Sequence, residues 1–102
     1  MKIINYEIVE GCVEGKNVYD AVLSEEIDED FINYLSKPGK MIYIKDIPIP
    51  YFRIIVRAKY TMKGNLGKSE LRIILPDNTG LEYLDEIKLT IRVGDKRVLR
   101  IR

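Results

Sequence analysis

The sequence predicts an α+β domain: an N-terminal strand, a helical segment near residues 17–37, then an antiparallel β-meander able to curl into a partly open barrel. Three observations predict it. Apolar and polar residues alternate over much of 51–102, the period of half-buried strands. Residues 28–37 carry signals for starting and stopping a helix. The chain has 102 residues, 46% hydrophobic and 32% charged, which matches one globular domain spanning 1–102 and not a disordered segment.

Taken in order, residues 2–10 form the first expected strand, with Ile4, Tyr6 and Ile8 on one face and Asn5 and Glu7 on the other. Gly11 and Gly15 bracket a turn. Residues 17–37 read as two helical pieces. Asn17 caps the first, with Val18, Ala21 and Val22 at helical spacing. Asp28 caps the second, and Glu29 and Asp30 place negative charge in the first turn, where the helix dipole favours it. Ile27 and Ile32 fit a hydrophobic staple, and Phe31, Ile32 and Leu35 form a narrow apolar stripe. Pro38 and Gly39 end the helix.

Residues 41–47 are an expected strand, followed by an extended joint at Pro48-Ile49-Pro50. From Phe52 to Met62 the even positions are apolar and the odd ones mostly basic, which reads as one long strand. Lys63 to Lys68 reads as a loop. Leu71, Ile73 and Leu75 face inward on the next strand, and Pro76-Asp77-Asn78-Thr79-Gly80 is a turn. Ile87, Leu89, Ile91 and Val93 alternate as a strand that turns at Gly94 into a last strand ending at Arg102. Parity sets the register of that final hairpin. Only a three-residue loop at 94–96 puts Ile91 opposite Leu99 and Leu89 opposite Ile101, with all four facing the core.

The composition excludes several chemistries. There is no histidine and one cysteine, Cys12. Histidine-based metal sites, Ser-His and Cys-His pairs and internal disulfides are therefore absent from this sequence. No cofactor or metal is expected, and a non-enzymatic role follows from the lack of catalytic residues. The N-terminal apolar stretch is too short and too interrupted for a signal peptide or membrane span, so a cytoplasmic setting is expected. Sixteen isoleucines, two alanines and no glutamine give a thermophile-like composition.

The formal charge of +1 conceals a segregation. Residues 1–52 sum to −5 and residues 53–102 to +6, and every arginine lies in the second half. On the expected sheet, Arg53, Arg57, Lys59, Arg72, Lys88, Arg92 and Arg100 share a solvent face that suits an anion or a protein partner. Glu25, Glu26, Asp28, Glu29 and Asp30 form an acidic, partner-facing patch with no base between residues 17 and 36. Two readings follow. The first is a small binding or assembly domain acting through protein–protein contact, with a homodimer among the candidates. The second is binding of nucleic acid or a nucleotide phosphate on the basic sheet face. Solvated helix-start and strand-face charges account for the same residues without any partner.

Arg53-Ile54-Ile55-Val56-Arg57 followed by Asp77-Asn78-Thr79-Gly80 resembles the pattern of PilZ cyclic-di-GMP receptors, R-x-x-x-R and then D/N-x-S-x-x-G. The second motif departs from it, because Gly80 follows Thr79 directly. The resemblance covers under half of the chain and implies that Arg53 and Arg57 clamp phosphates.

Overall fold

The computed structural model describes residues 1–11, 17–76 and 81–101, with side chains as far as Arg92. Among the described residues, six strands and two helices build a two-layer α+β fold. The strands are β1 (Ile3–Val9), β2 (Val18–Leu23), β3 (Lys40–Ile44), β4 (Tyr51–Val56), β5 (Tyr60–Asn65) and β6 (Glu70–Ile74). The helices are α1 (Glu29–Leu35) and α2 (Glu82–Ile101). All strand pairings are antiparallel, in the order β1-β2-β6-β5-β4-β3. The sheet does not close into a barrel, so β1 and β3 are its edges.

One face of the sheet carries the core. Ala21, Leu23, Phe52, Ile54, Met62, Leu71 and Ile73 cluster with Phe31, Ile32 and Leu35 of α1 and Leu84, Ile87 and Ile91 of α2. Both helices thus cover the same side. Burying each large aliphatic side chain contributes about 1.5–3 kcal/mol, so this layer dominates stability. Tyrosines tie α2 down at its polar margin. The Tyr6 hydroxyl donates to the Leu84 carbonyl at 2.7 Å, and the Tyr34 hydroxyl to the Thr90 carbonyl at 2.7 Å. A half-buried phenol needs such a partner. Burial, reinforced by Glu86, pushes the Tyr60 phenol up to about 12. Burial and then Asp85 raise the Tyr6 phenol from its usual value.

The second helical piece forms as its signals predict. The Asp28 side chain accepts from the Phe31 backbone N–H at 2.8 Å, and Ile27, Phe31, Ile32 and Leu35 are buried. Gly39 passes close to β4: a Cβ there would lie 2.6 Å from the Ile55 carbonyl oxygen.

Four expectations are corrected. The segment from Val18 is a strand, not a helix. A six-residue helix gains little on its own, whereas β2 bonds along both edges, to β1 and β6. The long strand over 51–62 is a hairpin turning through residues 57–59, with Ala58 at φ 64°. Val56 pairs with Tyr60 and Ile54 with Met62. A three-residue connection preserves parity, so alternation runs unbroken through the reversal and imitates a single strand.

The final hairpin is the third. Residues 82–101 are one helix, so no register opposes Ile91 to Leu99 or Leu89 to Ile101. Ile87 and Ile91 satisfy both periods, being four apart. Leu84 and Leu89 discriminate: Leu84 is buried with them, while Leu89 is 62% exposed. The loop expected from Lys63 begins later, since β5 continues to Asn65.

Candidate functional site: the open face of the sheet

The sheet face away from the helices presents alternate residues in ordered rows. Pairing carries one row across all six strands: Glu7, Asp20, Arg72, Lys63, Arg53 and Ile42. Its charge is negative on β1 and β2 and positive on β6, β5 and β4. Cations directly opposed on neighbouring strands repel. Asp20 relieves part of this, because Arg72 forks onto it through Nε–Oδ1 at 2.8 Å and Nη2–Oδ2 at 3.0 Å. Such bidentate pairs are stronger and more directional than single contacts.

Beside this row lies an open depression of about 370 Å³, lined by Tyr51, Lys63, Asn65, Lys68, Glu70 and Arg72, with Asp20 and Gly64. Gly64 belongs to the other face as well. A Cβ there would stand 3.1 Å from the Phe52 ring, so glycine lets β5 pass over that ring. Toward the β3 edge the open face turns apolar. Ile42, Ile44 and Ile55 are 46%, 44% and 39% exposed, and Ile47 and Ile49 follow on the β3–β4 loop. Exposed isoleucines in this number beside a basic row form an amphipathic surface of the kind that proteins dock on.

The structure divides the seven basic residues expected on one face. Arg53 and Arg72 share the row. Arg57 and Lys59 sit in the β4–β5 turn, with Lys59 Nζ 3.5 Å from Glu86. Lys88 and Arg92 belong to α2, in the other layer, and the Arg100 side chain lies outside the described residues. Their placement on one solvent face of a hairpin is therefore corrected, because that hairpin is a helix. Lys63, expected at the start of a loop, lies on the row between Arg53 and Arg72. The parity of the 56/60 reversal is the signal that places it on the row.

The acidic patch has local work. Glu25 takes the N-terminal ammonium at 2.8 Å, and Asp28 caps α1. Glu29 accepts from the Tyr43 hydroxyl at 3.0 Å and lies 3.6 Å from Lys45 Nζ. Glu26 and Asp30 are exposed beside them. The carboxylate that meets the basic row is instead Asp20, with Glu7 opposite it on β1. Among the described residues, no three carboxylates come together as a metal-holding group. Cys12 and the second half of the PilZ-like pattern, Asp77 to Gly80, lie outside the described residues.

A family model described as the winged helix of elongation factor SelB matches residues 80–99. That fifth of the chain is almost wholly α2, and the match is compatible with a nucleic-acid- or protein-binding domain. A helix-turn-helix needs two helices joined by a short turn. Here four strands separate α1 from α2. No curated protein and no solved structure matches the chain. Among the described residues, no helix is long and apolar enough to cross a membrane.

Proposed function

We propose that the chain is a non-enzymatic binding and assembly domain of the cytoplasm that acts through protein–protein contact on the open face of its sheet. The observation that supports this most is the composition of that face. Three exposed isoleucines flank a row of Arg53, Lys63 and Arg72. Apolar residues ringed by arginine and tyrosine suit a protein surface. Nucleic acid on a sheet favours several exposed rings for stacking. On this face Tyr51 is the aromatic available among the described residues.

A second reading, binding of nucleic acid, draws on the SelB winged-helix match and on the three aligned cations. One experiment separates the two. Single-stranded RNA and DNA are titrated at low salt, where phosphate contacts are strongest. In parallel, proteins captured on the wild-type chain are compared with those captured on an Ile42→Glu/Ile55→Glu variant and on Leu89→Glu. The protein reading expects capture that is lost only when the open face is changed. Tight nucleic-acid binding that weakens on Arg53→Ala and Lys63→Ala would replace it.

A further inference from the structure

We propose that a second copy of this chain adds edge to edge at β3, joining two sheets into one continuous sheet about a two-fold axis perpendicular to it. The contact uses the rim of the sheet and leaves the open face bare, so it goes beyond the reading above. Among the described residues, β4 is the one neighbour of β3. Every residue from Lys40 to Ile49 is exposed or half-buried. The outer backbone donors and acceptors of β3 therefore face no strand among the described residues, and such an edge is a template for adding one.

The two edges of the sheet differ. β1 has a register irregularity between Ile3 and Asn5, a device that discourages pairing. β3 runs against β4 in unbroken register, from Lys40 opposite Ile55 to Ile44 opposite Tyr51. Five of the nine large apolar side chains exposed among the described residues lie at or beside β3: Ile42, Ile44, Ile47, Ile49 and Ile55. Lysines on an edge commonly block further strands, and here there are two. Lys45 is held by its own chain, 3.6 Å from Glu29 and over the Tyr43 ring. Lys40 is left for a partner to answer.

The residues along this edge select their own copy in one register. A two-fold axis perpendicular to the sheet keeps each face on its own side, so paired residues must share parity. An axis at Tyr43 sets Ile42 opposite the partner's Ile44, Met41 opposite the partner's Lys45 and Lys40 opposite the partner's Asp46. An axis at Ile42 sets Lys40 against the partner's Ile44, and an axis at Ile44 sets Ile42 against the partner's Asp46. Of the three, the register at Tyr43 answers charge with opposite charge and isoleucine with isoleucine. The lysine that repels a foreign basic edge thus fixes this pairing. Pairing β3 with the β1 edge of another copy would be head-to-tail and would build a fibre, which the irregularity in β1 opposes.

Pairing over 40–46 makes about six backbone hydrogen bonds and buries less than about 1,000 Å², the range of weak contacts. The dimer therefore forms at high concentration and dissociates on dilution. Sedimentation equilibrium on the full chain, over roughly 1–1,000 µM, tests this. Lys40→Asp and Asp46→Lys, both at exposed positions, should each weaken the dimer about tenfold or more, because both Lys–Asp pairs become repulsive. Circular dichroism confirms that each variant is folded. An equimolar mixture of the two variants should restore dimers, since every charge then meets its opposite. Glu7→Lys on β1 and Leu89→Glu on α2 should leave the equilibrium unchanged.

A monomer throughout this range overturns edge pairing, as does a dimer indifferent to Lys40→Asp or a mixture that does not reassociate. These variants keep Ile42, Arg53, Ile55 and Lys63 in place. Failure here is therefore distinct from failure of the open-face reading, which falls if capture is indifferent to the Ile42→Glu/Ile55→Glu variant.

Discussion

Ile54 and Ile55 are the same residue, adjacent on β4, and they meet opposite environments. Ile54 is fully buried beneath the helices, while Ile55 is 39% exposed on the bare face. The pleat alone separates them. The comparison extends to the whole sheet. One face is apolar and covered by α1 and α2. The other mixes isoleucine with a charge row and is covered, among the described residues, by neither helix. Stability is concentrated on the first face, which leaves the second free to vary in composition without unfolding the domain.

The largest effect should come from testing this contrast directly. Ile54→Ala is expected to cost about 2–5 kcal/mol in urea unfolding, from lost burial and a residual cavity. Ile55→Ala is expected to cost about 0.5 kcal/mol, with its effect seen in association instead. Equal costs would show that the open face is packed within the monomer and would end the comparison.

A smaller effect tests how the covered layer is held at α1. Asp28→Ala removes the side chain that accepts from the Phe31 N–H and should cost about 1 kcal/mol. Asp30→Ala removes only a favourable charge in the first turn and should cost about 0.3–0.5 kcal/mol. On the open face, Asp20→Asn should cost about 0.5–1 kcal/mol. It weakens the fork to Arg72, and the loss should shrink as salt rises.

The smallest effect lies at the margin between layers. Tyr60 is held neutral in the fold, its phenol pushed up to about 12 by burial and by Glu86. The unfolded chain ionises it near the ordinary phenol value of about 10. The folded state therefore binds more protons than the unfolded one above that pH. The stabilisation is complete below about pH 10 and declines as pH rises toward 12. Alkaline unfolding followed by phenolate absorbance should show this, and Tyr60→Phe should flatten the dependence. A dependence unchanged in Tyr60→Phe would transfer the effect to Tyr6, whose phenol is also raised.

Local signals were legible where one interaction decides the outcome. Asp28 followed by Phe31, Ile32 and Leu35 specified α1, because a cap and a stripe suffice for a short helix against a sheet. Leu71 and Ile73 specified β6. Residues 17–23 were not legible: Val18, Ala21 and Val22 fit a helical spacing, and only pairing to β6, far along the chain, makes them a strand. In α2, Ile87, Leu89, Ile91 and Val93 alternate, yet a helix carries them. There Leu84 completes the buried stripe and Leu89 is left outside.

The site follows the same division. Arg53 and Arg72 were recognisable as outward cations on strands. The row containing them was not, because it depends on the reversal at residues 57–59 that parity hides.

The seam between β2 and β6 has a consequence for how the chain acquires its shape. β1 and β2 form a hairpin made early in translation, yet β2 finds its second neighbour only in Glu70–Ile74. β3 to β6 are sequential neighbours and need no distant partner. A ribosome therefore releases the hairpin long before the strand that receives it, and until then Val18, Ala21 and Leu23 are open to other chains. Long-range pairing of this kind is slow and exposed to aggregation. The joining of β2 to β6 is the step at which synthesis and folding must be reconciled, and crowding or heat should act there first.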